Sequence, residues 1–178
     1  MTIAIGQAAP EFTLPDTDGH ELSLADGDGD GTQATVVVFT CNHCPYALAW
    51  HDRIAEVARD YARRAVRVLA INPNDAERYP RDSLQAMQQR VSAAPWPMPY
   101  LRDETQEVAR AFGARTTPDV FVLDAGGRLR YRGAPDGDYD DPSAGAQWLR
   151  EALDAVLAGQ APERAQTEPV GCSIKWKA

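Results

Sequence analysis

The sequence has few cysteines and no long apolar run, and both shortages narrow its possible functions. Only three of its 178 residues are cysteine, so the chain cannot form a closed framework of structural disulfides. No stretch approaches the roughly 20 apolar residues that a membrane-spanning helix requires, so we expect no membrane segment. The N-terminal sequence MTIAIGQAAPEF lacks a basic start followed by an apolar run, so we expect no secretion signal. The sequence therefore predicts a cytoplasmic protein, and stable disulfides are rare in that compartment.

Positive charge is also scarce. The chain has 18 lysines and arginines against 26 acidic residues, which gives a formal net charge of −8. Nucleic-acid binding relies on positive charge that neutralises phosphates, so we expect no nucleic-acid partner. Hydrophobic residues make up 44% of the chain, and 178 residues suit one globular domain with a sizeable core. The sequence gives no indication of the oligomeric state.

The order of apolar patterns predicts one α/β domain. Alternating residues over 11–14 and 20–24 predict an N-terminal β-hairpin. Further patterns predict buried strands at 35–39 and 66–71, a hairpin of 120–123 with 128–131, and helices at about 45–61, 83–92, 104–112 and 148–157. We place the domain at residues 1–160 and a C-terminal tail at 161–178. The tail is expected to dock on the domain, because Ile174 and Trp176 alternate with polar residues.

Two cysteines lie two residues apart in the segment FTCNHCPY, between a predicted strand and a predicted helix. The free N–H groups and the dipole at a helix N-terminus stabilise an anion by about 0.3–1 kcal/mol. We therefore expect Cys41 to be an exposed nucleophile with a lowered pKa. Cys44 should be shielded and should resolve the mixed disulfide that Cys41 forms.

His43 lies between the two cysteines. If it is protonated, its charge stabilises the Cys41 thiolate and raises the reduction potential of the pair. We then expect a potential between about −270 mV, as in thioredoxin, and about −120 mV, as in the periplasmic dithiol oxidase. The alternative is a solvated loop histidine without such an effect.

A metal site is a further alternative, with Cys41, Cys44 and either His43 or His51 as ligands. A closed zinc site takes four ligands, usually as two spaced pairs, and only one pair is visible in the sequence. We therefore expect neither a metal nor a cofactor.

The segment TTPD places a proline directly before a predicted strand. Proline cannot donate a hydrogen bond to a sheet, and a cis Thr117–Pro118 bond would explain its position. Together with FTCNHCPY, the segments GARTTPDVFVLD, YRGAPD and GCSIKWK occur in an order that resembles one family. This family is the peroxiredoxin-like branch of the thioredoxin-fold redoxin group, which is related to AhpC/TSA proteins. The resemblance covers about residues 6–177.

The resemblance implies a thioredoxin-like fold with a central mixed β-sheet flanked by helices. It implies a thiol–disulfide oxidoreductase that acts on disulfides or thiols of proteins or small molecules and depends on a separate reductant. Cys41 and Cys44 would form the redox pair, with cis Pro118 beside them and the backbone of Thr117 meeting an extended substrate. It also marks Cys172, which we weigh either as a third redox cysteine exchanging with Cys41 or as a structural or unused thiol.

The chain departs from its relatives at several positions. Thr40 stands where thioredoxin has tryptophan, and residues 35–39 contain no acid, so the proton acceptor for Cys44 is unidentified. The peroxiredoxin pattern Pro-x-x-x-Thr-x-x-Cys is also missing, because Val37 or Ala34 occupies the proline place. A thiol peroxidase that uses Cys41 or Cys172 is therefore the second hypothesis rather than the first.

Overall fold

A computed structural model describes residues 2–178 of the chain. The apolar runs of the sequence form the strands of a mixed β-sheet. The strands are β1 (Thr13–Pro15), β2 (Glu21–Ser23), β3 (Ala34–Phe39), β4 (Val66–Asn72), β5 (Tyr100–Arg102), β6 (Thr116–Thr117), β7 (Asp119–Asp124), β8 (Leu129–Gly133) and β9 (Cys172–Ser173). The helices are α1 (Pro45–Tyr61), α2 (Leu84–Ala93), α3 (Glu107–Phe112) and α4 (Gln147–Leu157). No helix within residues 2–178 combines the length and the apolar character needed to cross a membrane.

The main sheet has the strand order β5-β4-β3-β7-β8. Strands β3, β4 and β5 run parallel, whereas β7 and β8 are antiparallel to their neighbours. Every residue of the central strand β3 is buried, as its continuous apolar sequence predicts. The predicted hairpins are present as β1–β2 and β7–β8, and β6 pairs separately with β9.

Alternating side chains of the sheet divide the interior into two cores. On one face, Val36 and Val38 pack with apolar residues of α1, α2 and α4. On the other face, Val37 and Phe39 pack with α3, the N-terminal hairpin and Ile174 of the tail. The period of two along a strand produces this division, because successive side chains point to opposite faces.

The C-terminal tail is fixed along the domain. The backbone N–H of Thr167 donates to the carbonyl of Arg132 in β8. Further along, Ile174 is buried in the second core, and Arg110 lies 4.4 Å above the ring of Trp176. The tail therefore crosses from β8 to β6 as ordered structure.

Helix α3 is shorter than the sequence predicts. It begins at Glu107 rather than at 104, because Gln106 has a left-handed φ of 64°. The carboxylate of Asp103 accepts the N–H of Ala109 at 2.9 Å, which satisfies a free donor of the first turn.

Arg53 is the main exception to the predicted pattern of α1. A charged side chain on an amphipathic helix is expected to face solvent, but Arg53 is buried and pairs with Asp136 at 2.9 Å. The same carboxylate accepts hydrogen bonds from the indole N–H of Trp50 and from the backbone N–H of Ala146. This buried pair ties α1 to the segment that precedes α4.

We predict that Asp136→Asn lowers the free energy of unfolding by about 3–5 kcal/mol, because Arg53 is left buried without a counter-charge. Urea unfolding followed by circular dichroism measures the change. The matched control is Glu151→Gln, since Glu151 pairs with Arg164 at the surface, where both side chains are about half exposed. The control should cost no more than about 1 kcal/mol. Equal losses in the two variants would contradict the role of the buried pair.

Candidate active site

The two closely spaced cysteines lie where β3 gives way to α1. Cys41 follows the strand by two residues, and Cys44 is the N-cap of the helix, with Pro45 as its first residue. Both side chains are completely buried. The expectation that Cys41 is exposed is therefore wrong, and Cys44 rather than Cys41 occupies the position where a helix N-terminus stabilises negative charge.

Thr117 connects the two cysteines to the loop that carries Pro118. The Thr117–Pro118 peptide bond is cis. The hydroxyl of Thr117 lies 3.3 Å from the Cys41 sulfur, and its carbonyl oxygen lies 3.0 Å from the Cys44 sulfur. The structure thus brings together the redox pair and the loop that the sequence analysis assigned to one site.

Cys172 joins the same site from the C-terminal tail. It lies opposite Thr117 in the antiparallel pairing of β9 with β6. Its side chain packs against the cluster of Cys41, Cys44 and Ala47, and it lies close enough to Cys44 for the two thiols to shift each other's pKa. All three cysteines are free thiols in the structure. One role considered for Cys172 was exchange with Cys41, whereas the thiol whose pKa it shifts is that of Cys44.

The thiols of the pair have opposite pKa shifts. The hydrogen bond between them lowers the pKa of Cys44 to about 4 and raises the pKa of Cys41, although burial raises both. The thiol of Cys172 and the N–H groups of Ala47 and Cys172 add donors to Cys44. The carbonyl of Thr117 acts in the opposite direction, since it favours a protonated Cys44. The donors outnumber this one acceptor, so the negative charge of the reduced pair belongs on Cys44, contrary to the expected low pKa of Cys41.

Asp82 is the functional candidate that the sequence analysis missed. Its fully buried carboxylate accepts hydrogen bonds from the backbone N–H of Asn42 at 2.7 Å and from the side chains of Asn72 and Asn74 at 3.1 Å and 3.0 Å. The carboxylate charge also raises the pKa of Cys41. Asp82 lies 41 positions beyond Cys41, in a short turn before α2, so no local pattern pointed to it.

His43 faces Asp82 directly. Its Nδ1 lies 2.6 Å from a carboxylate oxygen of Asp82, and its ring lies parallel to the ring of Tyr79. The contact is electrostatic rather than a well-aligned hydrogen bond, because the ring nitrogen has no hydrogen-bond partner of suitable geometry. A positive charge on a protonated His43 would therefore interact with the Asp82 carboxylate as well as with a thiolate of the cysteine pair. His43 is about one-fifth exposed, so it is not the solvated loop residue of the alternative reading.

The residues that could bind a metal differ from those expected. Ligand atoms of Cys41, His43 and Asp82 lie within 4.8 Å of one another. His51 lies elsewhere, stacked on Trp96 with ring centroids 4.4 Å apart. The cluster provides three ligands rather than the four of a closed zinc site, and both Asp82 oxygens already accept N–H groups. The arrangement therefore favours a redox site over a metal site.

We predict that His43→Ala lowers the reduction potential of the cysteine pair. Removing His43 leaves the Asp82 carboxylate uncompensated beside Cys41, which disfavours the thiolate form and so favours the disulfide. We expect a decrease of about 30 mV, equivalent to roughly 1.4 kcal/mol for a two-electron couple. Equilibration with glutathione redox buffers measures the potential, and the ultraviolet absorbance of thiolate measures the thiol pKa.

The matched control for this measurement is His20→Ala. His20 also lies beside a carboxylate, at 3.6 Å from Asp16, but its side chain is 79% exposed. The control should leave the potential of the pair unchanged. If His43→Ala also changes neither the potential nor the thiol pKa, His43 has no electrostatic effect on the cysteines.

We predict a pH-dependent loss of stability that originates from His51. Burial, with the nearby charge of Arg90, lowers the pKa of His51 to about 4, from an ordinary value of 6.5. The unfolded chain therefore binds a proton at a higher pH than the folded protein, so stability is complete above pH 6.5 and falls as the pH drops towards 4. Urea midpoints measured across this range should depend less on pH in His51→Phe, which retains an aromatic ring against Trp96. An unchanged pH dependence in this variant would contradict the assignment.

The chain is similar to proteins of known and unknown activity. Residues 5–132 match the sequence profile of the AhpC/TSA family. The chain is 25% identical to the thiol-disulfide oxidoreductase ResA of Geobacillus kaustophilus (strain HTA426) over 128 residues. This alignment covers 72% of this chain and 68% of ResA. A hypothetical protein from Sinorhizobium meliloti 1021 has a crystal structure with a TM-score of 0.93 and 37% identity, covering 100% of this chain and 97% of that one. A lipoprotein thioredoxin from Streptococcus pneumoniae strain TIGR4, at 22% identity, has a TM-score of 0.62 over 80% of this chain and 99% of its own, which shows the thioredoxin-like fold.

Proposed function

Because the chain belongs to the AhpC/TSA family, we propose that it is a thiol–disulfide oxidoreductase with Cys41 and Cys44 as its redox pair. The observation that carries the proposal is the contact of two buried thiols with Thr117, next to cis Pro118.

The reaction transfers two electrons by thiol–disulfide exchange. A thiolate attacks one sulfur of a partner disulfide, and a mixed disulfide forms as the first partner thiol leaves. The second cysteine of the pair then attacks the protein sulfur, which releases the second partner thiol and leaves a Cys41–Cys44 disulfide. The reverse sequence oxidises two partner thiols. Cys44 carries the thiolate of the reduced pair, since hydrogen bonds lower its pKa to about 4.

The substrates are disulfides or thiols of proteins or small molecules, and a separate reductant returns the pair to the dithiol. Thr117 is the residue whose backbone would meet an extended substrate, although in this structure β9 already pairs with it. A cytoplasmic location is part of the proposal and agrees with the three free thiols, since stable disulfides are rare in that compartment.

We predict that Cys41→Ser and Cys44→Ser each lower the rate of disulfide reduction by at least about tenfold, because either change removes one sulfur of the pair. The assay follows the reduction of insulin by dithiothreitol in the presence of the protein. The matched control is Ser173→Ala, an exposed position on β9 that carries no thiol. The control should retain the wild-type rate.

Consumption of hydrogen peroxide by the wild-type protein and the same variants distinguishes the oxidoreductase from a thiol peroxidase. The proposal requires disulfide exchange to depend on both Cys41 and Cys44. Peroxide consumption that survives Cys44→Ser, together with no reduction of insulin by the wild-type protein, would refute the oxidoreductase and support the peroxidase.

A further inference from the structure

The three thiols of the site differ in their access to solvent. Cys41 and Cys44 are completely buried, whereas Cys172 is partly exposed. An external disulfide or thiol must reach a sulfur along the line of the bond that breaks, and neither buried sulfur offers such a path in this structure. Cys172 is the only cysteine of the chain whose side chain contacts both solvent and the buried pair.

The tail holds Cys172 at the pair through specific contacts. Because Cys172 and Thr117 are directly opposed in an antiparallel ladder, their side chains point to the same face, where the Thr117 hydroxyl touches Cys41. On the following residues, the N–H of Ile174 donates to Arg115, and the N–H of Lys175 donates to the side chain of Asn74. The position of Cys172 is therefore set by the fold.

We propose that Cys172 is a third redox cysteine, which carries disulfide exchange between the buried Cys41–Cys44 pair and external thiols or disulfides through a Cys44–Cys172 disulfide. This inference rests on the proposed function, because it assigns the route by which the same pair meets its substrate. The relay also explains how the pair can react with external thiols although both of its sulfurs are buried.

The steps balance in the direction that oxidises two partner thiols. Cys172 loses its proton and attacks Cys44; the Cys41–Cys44 bond breaks, and Cys41 leaves and takes up a proton. A partner thiolate then attacks Cys172, which breaks the Cys44–Cys172 bond and releases Cys44 as a thiolate. A second partner thiolate attacks the first partner's sulfur, which releases the partner disulfide and the Cys172 thiolate. Two electrons have moved from the partner thiols to the pair, and the reverse order reduces a partner disulfide.

The acid–base properties of the thiols favour the second of these steps. Exchange is faster when the leaving thiol has a low pKa, and Cys44 leaves in the second step with a pKa of about 4. Cys41, whose pKa is raised, takes up the proton when it leaves in the first step. In the reduced protein, burial and the hydrogen bond to Cys44 raise the pKa of Cys172 to about 11, so Cys172 keeps its proton while the pair rests as dithiol.

The main competing role for the tail is a cover that must leave before a substrate can enter. Substitutions separate the two roles, because removal of a cover speeds exchange, whereas removal of a relay slows it. Gly171 offers a variant that changes no thiol. A Cβ atom at Gly171 would overlap the carbonyl of Thr117, so in Gly171→Ala the β6–β9 pairing that sets Cys172 against the pair must shift.

The experiment mixes the reduced full-length protein with glutathione disulfide, stops the reaction with acid at set times, and maps the disulfides by mass spectrometry. We expect Cys172→Ser to form the Cys41–Cys44 disulfide at least about tenfold more slowly than wild type, which corresponds to about 1.4 kcal/mol in the barrier. Gly171→Ala should also be slower, and Ser173→Ala should match wild type. In Cys41→Ser, a Cys44–Cys172 disulfide should accumulate.

Oxidation of Cys172→Ser or Gly171→Ala at the wild-type rate or faster would overturn the relay. Glutathione bound to Cys44 in Cys41→Ser, with Cys172 still free, would overturn it as well. A wild-type protein that never forms the Cys41–Cys44 disulfide would refute the proposed function instead, and the disulfide map of Cys41→Ser would still decide whether Cys44 and Cys172 exchange. Circular dichroism of each variant verifies its fold.

Discussion

The geometry of the site depends on the placement of Thr117, which is completely buried and uses its hydroxyl, its carbonyl and its strand pairing to contact three different cysteines. A shift of this residue would move all three sulfurs relative to one another. The residue two positions further along holds it in place. Asp119 accepts the N–H of Arg115 and pairs with the buried Arg132 of β8. Burial raises the pKa of Asp119 to about 6, so the ion pair is maintained against a desolvation cost.

The electrostatics of the site follow from a second buried carboxylate. Asp82 places a negative charge near Cys41, and three N–H donors together with His43 balance it. Arg90 adds a positive group on the other side, where it donates to the carbonyl of Cys41 at 2.8 Å. The negative charge of the thiol pair therefore belongs on Cys44, which is further favoured by the helix N-terminus. Charge at this site is arranged by residues from α1, α2 and the turn between β4 and α2.

The C-terminal tail belongs to the site rather than to the periphery. Its strand β9 occupies the edge of β6, which would otherwise present unpaired backbone groups beside the cysteines. This pairing explains why two cysteines at a strand-to-helix turn, a position that is usually accessible to substrates, are buried here. The C-terminal tail thus affects both the solvent access and the reactivity of the cysteines.

The sequence by itself determined the elements and the main participants. Continuous apolar runs marked β3 and β4, the helical period of Trp50, Ile54 and Tyr61 marked α1, and the spacing of Cys41 and Cys44 marked the redox pair. These signals are local, because strand burial, helix amphipathicity and close cysteines each act over a few residues. The order of four short segments supplied the fold family in the same way.

Only the tertiary structure decided which thiol carries the charge, which sulfur is accessible and which acid lies nearby. Arg53, Asp82 and Cys172 each meet at least one partner across 40 or more positions of the chain, so no periodic pattern reports those contacts. A pKa depends on every donor and charge around a group, and for Cys44 these come from Cys41, from the first turn of α1 and from the tail. Cys41 was expected to be exposed because a strand-to-helix turn usually is, and it is buried against residues far away in the sequence, among them Thr117 and Arg90.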